Sequence, residues 1–163
     1  MQSVSIRIEK AHGLEFCRLA SKDWEADVLL TKGADISRAH VSDFGECLLC
    51  TKHGLSLFDG RDLQNEPLAN YNELYYGGWQ DLVPHRSMLN GSEIPVAHQN
   101  GACVSWELRS HSQTNNGTQA VFTSEIPALQ LMLEKTITLS DHDSTLCLHD
   151  RVLNFGTQSV SFP

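Results

Sequence analysis

Positive charge is scarce in this sequence: 12 lysines and arginines stand against 20 acidic residues, and the formal net charge is −8. Nucleic acids and anionic membranes are bound through clusters of lysine and arginine. We therefore expect neither a nucleic acid nor a membrane as a partner. An acidic surface is compatible with a neutral small ligand or a neutral glycan, although it selects neither.

Long apolar runs are missing as well. The sequence has no stretch of about twenty apolar residues, the length that a transmembrane helix requires. The first 30 residues contain no uninterrupted apolar segment of the kind found in secretory signals, because Glu9, Glu15, Lys22 and Asp23 interrupt them. We therefore predict a soluble protein without an export signal.

The five cysteines do not form a disulfide framework, because their number is odd and their spacing is irregular. Cys47 and Cys50 have the spacing of a metal-binding or redox pair. However, the sequence has no second pair, and these two flank leucines in an apolar strand candidate. We predict buried thiols here, and a reducing cytoplasm is the simplest location for the protein.

Helical periodicity is also absent, and alternation of period two takes its place. From Leu129 to Leu139 the odd-numbered positions hold leucine and isoleucine together with Lys135, which indicates a strand with one buried face. Ala102–Leu108 alternates in the same way, and Thr145–Leu153 alternates with Asp150 on its otherwise apolar face. Further strand candidates are residues 4–8, Leu14–Leu19, Ala26–Leu30, Ile36–Val41 and Cys47–Thr51.

Turn residues separate these strands at short intervals. The strongest signals are Asn115–Gly117, Asp141–Ser144 and Asn154–Gly156, since asparagine and glycine tolerate a positive φ. Short strands with such spacing are typical of antiparallel all-β sandwiches. A chain of 163 residues fits one domain with a substantial core, so we predict a single β-sandwich domain over residues 1–163.

Residues 53–101 are rich in proline, glycine and tyrosine, and long loop-rich segments within strand-rich domains are usually functional. Their centre, Tyr75–Arg86, combines aromatic rings with amide, carboxylate, imidazole and guanidinium groups. Sugar recognition needs this mixture, because rings stack on a pyranose while planar polar groups bind its hydroxyls. The candidate sugar-binding residues are Trp79, Gln80, Asp81, His85 and Arg86. The alternative is a tryptophan that anchors a loop, with Asp81 and Arg86 as a surface pair.

A second candidate site is the loop Ile94–Gly101, which precedes the segment containing Trp106. His98 in this loop is a candidate general acid, because the pKa of histidine lies near neutral pH. The alternative is a solvated loop histidine without a catalytic role.

Several motifs together resemble the galactose-mutarotase-like (aldose 1-epimerase) superfamily, in its N-terminal half. They are Gly77-Gly78-Trp79 followed by Pro84, the Pro95-led loop into Trp106-Glu107-Leu108, Gly33–Ile36 leading to Glu46–Leu49, and Val152–Gly156. The resemblance implies a β-supersandwich fold with a sugar-binding cleft. It also implies an isomerase of carbohydrate metabolism that interconverts the α and β anomers of an aldose, without a metal or an organic cofactor.

Two departures from the family pattern bear on catalysis. Where the family often has a histidine before the loop glycine, this sequence has Asn100, and the nearest histidine is His98. The family's general base is a glutamate of the C-terminal half, which lies beyond residue 163. The resemblance therefore implies a sandwich that is incomplete at its C-terminal end, with open sheet edges that suit a homo-oligomer. The alternatives to an isomerase are a non-catalytic carbohydrate-binding or regulatory module, in which Asn100 would contact the sugar, and a purely structural β-domain.

Overall fold

The computed structural model describes residues 5–48, 50–61, 75–81, 87–89, 92–94 and 104–161. Across these residues the chain forms twelve strands in three antiparallel sheets, together with two short 3-10 helices at Gly54–Phe58 and Pro127–Leu129. The predicted all-β class is confirmed. Within the same residues, no helix has the length and apolar character needed to cross a membrane.

The first sheet contains five strands in sequence order. They are β1 (Ser5–Ala11), β2 (Leu14–Ala20), β3 (Trp24–Leu29), β4 (Asp35–Val41) and β5 (Gly45–Glu46). The turn between β1 and β2 has only two residues, His12 and Gly13, and both have a positive φ. Such turns match the right-handed twist of the two strands that they connect.

The second sheet has the order β11-β10-β9-β8, and its strands are long. They are β8 (Glu107–Thr114), β9 (Gly117–Ile126), β10 (Leu131–Ser140) and β11 (Thr145–Asn154). A third, small sheet joins β6 (Ser87–Leu89) to β7 (Ser92–Ile94) and to β12 (Val160–Ser161). The predicted turns at Asn115–Gly117 and Asp141–Ser144 are confirmed, because they connect β8 to β9 and β10 to β11.

The two large sheets pack face to face around one apolar core, which confirms the predicted sandwich. Alternate side chains of β2, β3 and β4 meet those of β9 and β10, with Cys17, Val28, Phe122 and Ile137 fully buried among them. Thr118 Oγ1 on β9 donates a hydrogen bond of 2.9 Å to the carbonyl oxygen of Ala20 at the end of β2.

Both faces of β2 and β3 are buried, because a second apolar cluster covers the other face of the first sheet. It consists of Leu14, Phe16 and Leu29 from the strands, Phe58 from the first 3-10 helix, and Tyr76. The rings of Phe58 and Tyr76 meet edge to face at 5.6 Å. Residues 75–81, the described part of the predicted sugar-binding segment, are thereby anchored to the sheet.

Strand β9 was not predicted from the sequence, and several predicted strands have other bounds in the structure. The strand predicted from Leu129 begins at Leu131, because Pro127–Leu129 forms a 3-10 helix that ends on Gln130 with a positive φ. The strand predicted from Ala102 begins only at Glu107. The predicted strand Cys47–Thr51 with buried thiols is wrong: β5 ends at Glu46, and both Cys47 and Cys50 are exposed because β5 is the last strand of its sheet.

Candidate functional site

The segment 75–81 crosses the beginning of β4 and is bound to it through the backbone. Ile36 and Trp79 exchange two backbone hydrogen bonds of 3.0 and 2.9 Å. The backbone amide of Thr51 donates a further hydrogen bond of 2.7 Å to the carbonyl oxygen of Tyr76. Gly78 is required at this crossing, because its φ is +79° and a Cβ there would lie 2.6 Å from the carbonyl oxygen of Ile36. The glycine pair of the motif therefore brings Trp79 against the sheet.

Trp79 presents a flat ring to solvent with a fixed orientation. Its relative exposure is 47%, although its backbone is paired with Ile36. The indole Nε1 donates a hydrogen bond of 3.1 Å to Asp81 Oδ1. A half-exposed indole with its polar edge already occupied offers an apolar face on which a pyranose ring can stack.

The other oxygen of the Asp81 carboxylate forms an ion pair with Lys135 Nζ, which comes from the second sheet. Lys135 occupies an inward-facing position of β10 and is only 1% exposed. Its ammonium lies 4.0 Å from Asp150 Oδ1 on the paired strand β11 and 5.8 Å from the centre of the Trp106 ring. A buried ammonium requires such partners, because desolvation of an unpaired charge costs several kcal/mol.

Asp150 is the more open of the two carboxylates, with 39% of its side chain exposed. Partial burial raises the pKa of Asp150; the charge of Lys135 acts against this shift, whereas that of Asp81 adds to it. Together with Gly33 and Trp106, Asp81, Lys135 and Asp150 line a hollow at the surface. The partly exposed carboxyl of Asp150 can meet a hydroxyl group at the rim of this hollow, and a carboxyl with a raised pKa is suited to exchange a proton.

A second buried ion pair lies behind the segment. Lys32 Nζ contacts Asp35 Oδ2 at 2.5 Å, and the Tyr76 hydroxyl donates to the same oxygen at 3.2 Å. Burial raises the pKa of Asp35, and the charges of Lys32 and Lys135 oppose that shift. Within the described part of the chain, Asp35 Oδ1 is buried without a hydrogen-bond partner. Because Tyr76 belongs to the segment 75–81, this pair also helps to hold the segment in place.

No protein-family model matches the sequence, and no curated protein matches it. Among solved structures, it is similar to a candidate mutarotase, YeaD from Salmonella typhimurium, with 13% identity and a TM-score of 0.59 over 86% of this chain and 45% of that one. It is also similar to HI1317, with 15% identity and a TM-score of 0.60 over 96% of this chain and 51% of that one. The chain has a mutarotase-like fold. It spans about half the length of each of these structures, and at this identity the likeness shows the fold alone.

Two of the residues predicted to bind a sugar, Trp79 and Asp81, are joined in the structure by the indole hydrogen bond, and their contact with a sugar stays a prediction. Gln80 lies between them, where its Nε2 donates to the carbonyl oxygen of Gly77 at 3.4 Å, and its contact with a sugar stays a prediction. The other predicted site residues are outside the described residues and stay predictions: His85, Arg86, His98 and Asn100.

Sequence reasoning did not select Lys135 and Asp150, although both carried a signal. Each is a charged residue at a position where the strand alternation requires an apolar one. The two are also direct partners in the register of β10 and β11. A charged residue at a strand position that the alternation predicts to be buried is therefore the sequence signal that identifies both of them.

Proposed function

We propose that the surface around Trp79 and Asp81 binds an aldose, and that the chain contributes this site to an isomerase of the aldose 1-epimerase type. The observation that carries the proposal is the half-exposed Trp79 ring, fixed by Asp81 beside the Lys135–Asp150 pair. An aromatic face next to carboxylate groups suits a sugar, which has an apolar ring face and a rim of hydroxyls. The mutarotase-like fold supports the same assignment.

Interconversion of anomers requires two proton transfers. A base removes the proton of the anomeric hydroxyl while an acid protonates the ring oxygen, so that the bond between the anomeric carbon and the ring oxygen breaks and an open-chain aldehyde forms. Rotation of the aldehyde and closure on its other face return both protons. We propose His98 as the acid, and Asp150 is the described carboxyl best suited to exchange a proton, because it is accessible and its pKa is raised. Asp81 is committed to Lys135 and Trp79, which suits it to orienting the sugar.

The test is NMR magnetisation transfer between the anomers of galactose and of glucose in the presence of the chain. We expect exchange above the buffer rate, lost in His98→Ala, and line broadening of the sugar ring protons that weakens about tenfold in Trp79→Ala. Phe44→Ala is the matched control, because Phe44 is a strongly exposed aromatic residue in the turn before β5. Equal sugar binding by Trp79→Ala and Phe44→Ala would refute the proposed site.

The second candidate is a non-catalytic carbohydrate-binding module. It is favoured by the ion pair of Asp81 with Lys135, since a carboxylate that already holds an ammonium is a poor base. In this case the same experiment would show broadening of sugar signals without anomer exchange, and His98→Ala would change nothing. A chain that gave neither broadening nor exchange would contradict both functions and would favour a structural domain that forms homo-oligomers through its sheet edges.

A further inference from the structure

Lys135 lies where the fold calls for an apolar residue. Its neighbours on the inward face of β10, Leu133 and Ile137, are both buried in the main core. A leucine or methionine would fill this position without any desolvation of charge, and replacement of buried ion pairs by apolar residues often leaves a protein equally stable or more stable. The charge of Lys135 is therefore better explained by what it holds in place than by stability.

Lys135 links the second sheet to the segment 75–81, which is paired with the first sheet. It belongs to β10 of the second sheet, whereas its partner Asp81 belongs to the segment 75–81, which is paired with Ile36 of the first sheet. Lys135 is almost completely buried, so its ammonium is not available to a ligand in the hollow. Any influence on a ligand must therefore pass through Asp81 or Asp150.

We propose that Lys135 is a positioning residue for the sugar site: it fixes the Asp81 carboxylate, and Asp81 in turn fixes the plane of the Trp79 indole. The Asp81 carboxylate can contact both residues at once, because Oδ2 forms the ion pair with Lys135 Nζ while Oδ1 accepts the hydrogen bond from the Trp79 indole. The backbone of Trp79 is held independently by its two hydrogen bonds to Ile36, so only the ring depends on Asp81.

If the exposed ring is already held in one orientation, less side-chain conformational entropy is lost when a ligand binds. For one side chain this amounts to about a two- to tenfold gain in affinity. The inference rests on the proposed function as far as the ligand is concerned, but the ordering of Trp79 can be measured without a sugar. We therefore separate the two in the experiment.

The variants are Lys135→Met, Asp81→Asn and the double variant that carries both changes. The double variant removes the positive and the negative charge together, so it keeps the experiment informative if Lys135→Met leaves too much unpaired charge to fold. Lys10→Met is the matched control, since Lys10 is exposed and pairs only on the surface with Glu15. Each variant is compared with the unmodified chain in the absence of sugar and then with galactose.

The first measurement is the exchange of the three indole protons with solvent, by ¹⁵N–¹H NMR, with the Trp79 signal assigned by its loss in Trp79→Phe. We expect Trp79 exchange to rise at least about fivefold in Lys135→Met and in the double variant, while buried Trp24 is unchanged and Lys10→Met has no effect. An unchanged Trp79 signal in both variants would overturn the positioning role.

The second measurement is galactose affinity. We expect it to fall about two- to tenfold in the variants that loosen Trp79 and to stay unchanged in Lys10→Met. Unchanged affinity despite a loosened Trp79 would overturn the role of Lys135 in the sugar site. If the unmodified chain binds no sugar while Trp79 still loosens, the proposed function fails and the positioning of the ring by Lys135 stands.

Discussion

Asp141 joins the two large sheets at one end of the sandwich, and its removal should be measurable as a loss of stability. It lies in the turn after β10, and its carboxylate accepts hydrogen bonds from the turn that precedes β3. Ser21 Oγ donates at 2.6 Å, the amide of Asp23 at 3.0 Å and the amide of Lys22 at 3.1 Å. These contacts link residues about 120 positions apart in the sequence.

The magnitude follows from the number and the exposure of these bonds. A hydrogen bond to a charged group contributes about 1.5 to 3 kcal/mol when it is well shielded from water. Asp141 is only half-buried, and the two freed amides can regain water. We therefore expect Asp141→Ala to lower the free energy of unfolding by about 2 to 3 kcal/mol, and Asp141→Asn, which retains one acceptor oxygen, by about half of this.

The loss should depend on pH in a defined direction. Burial raises the pKa of Asp141, but the hydrogen bonds from Ser21, Asp23 and Lys22 outweigh it and leave the pKa lowered. A lowered pKa in the folded state means that the stabilisation is present above the unfolded-state value of about 3.9 and is lost as pH falls through the folded-state value. The gap between the unmodified chain and Asp141→Ala should therefore be full at pH 7 and should shrink below about pH 4.

Urea denaturation at pH 7, 4 and 3 measures this gap. Asp143→Ala is the matched control, because the Asp143 carboxylate belongs to the same turn but accepts its hydrogen bonds within the hairpin, among them one of 2.8 Å from Thr145 Oγ1. We expect a clearly smaller loss in the control than in Asp141→Ala. Equal losses in the two variants, or an Asp141 gap of the same size at pH 7 and pH 3, would refute the assignment of Asp141 as the link between the sheets.

Three further predictions concern the second sheet. Gly117→Ala should lower the free energy of unfolding by more than about 3 kcal/mol in urea denaturation, because φ is +139° and a Cβ would overlap the carbonyl oxygen of Leu139; a loss below about 1 kcal/mol would contradict this. Ile137→Val should cost about 1 kcal/mol in the same assay, since it removes one methyl group from the core, and a neutral result would show that the site collapses around it. Asp150 has a raised pKa, so its protonated form stabilises the fold below about pH 3.9 and this contribution is lost as pH rises through the folded-state value. The free energy of unfolding of the unmodified chain minus that of Asp150→Asn should therefore be larger at pH 3 than at pH 7. A difference that did not vary with pH would contradict the raised pKa of Asp150.

Strand β10 of the second sheet could be predicted because its side chains alternate strictly, whereas β9 was not among the predicted strands. The side chains of β10 are buried at every odd position from Leu131 to Leu139, as the sequence pattern indicated. The hairpins of this sheet are local, and Gly117 at the end of the turn after β8 adopts a positive φ, which glycine tolerates. Local pattern and tertiary burial agree in β10, so the sequence alone was sufficient for this strand.

The prediction failed at Cys47 and Cys50 because burial at a sheet edge depends on neighbours that a local pattern does not reveal. The four residues Cys47–Cys50 are apolar in composition, yet β5 ends before them and pairs with β4 over only two residues. Among the residues that the structure describes, this sheet has no strand beyond β5, and two of the side chains remain exposed. Apolar composition predicts burial only where a second surface is present to cover the residues.

Only those residues of the candidate site that lie close together in the sequence could be predicted. Trp79 and Asp81 lie two positions apart in one motif, and the sequence mixture of aromatic and polar groups identified them. Lys135 and Asp150 come from strands more than 50 residues later, and only the packing of the second sheet brings them to Asp81. Their charges at buried positions were visible in the sequence, but their partner was not.

The two buried lysine–aspartate pairs have a different role from the apolar core: the core stabilises the fold, whereas the pairs position the candidate site. Both buried lysines of the described part, Lys32 and Lys135, pair with aspartates, and both pairs reach the segment 75–81: one through Tyr76 and the other through Asp81. Buried ion pairs contribute little net stability, whereas the apolar core contributes much. If stability alone had shaped these positions, apolar residues would serve as well. The convergence of both pairs on the segment that carries Trp79 is therefore best explained by a need to hold that segment in one geometry.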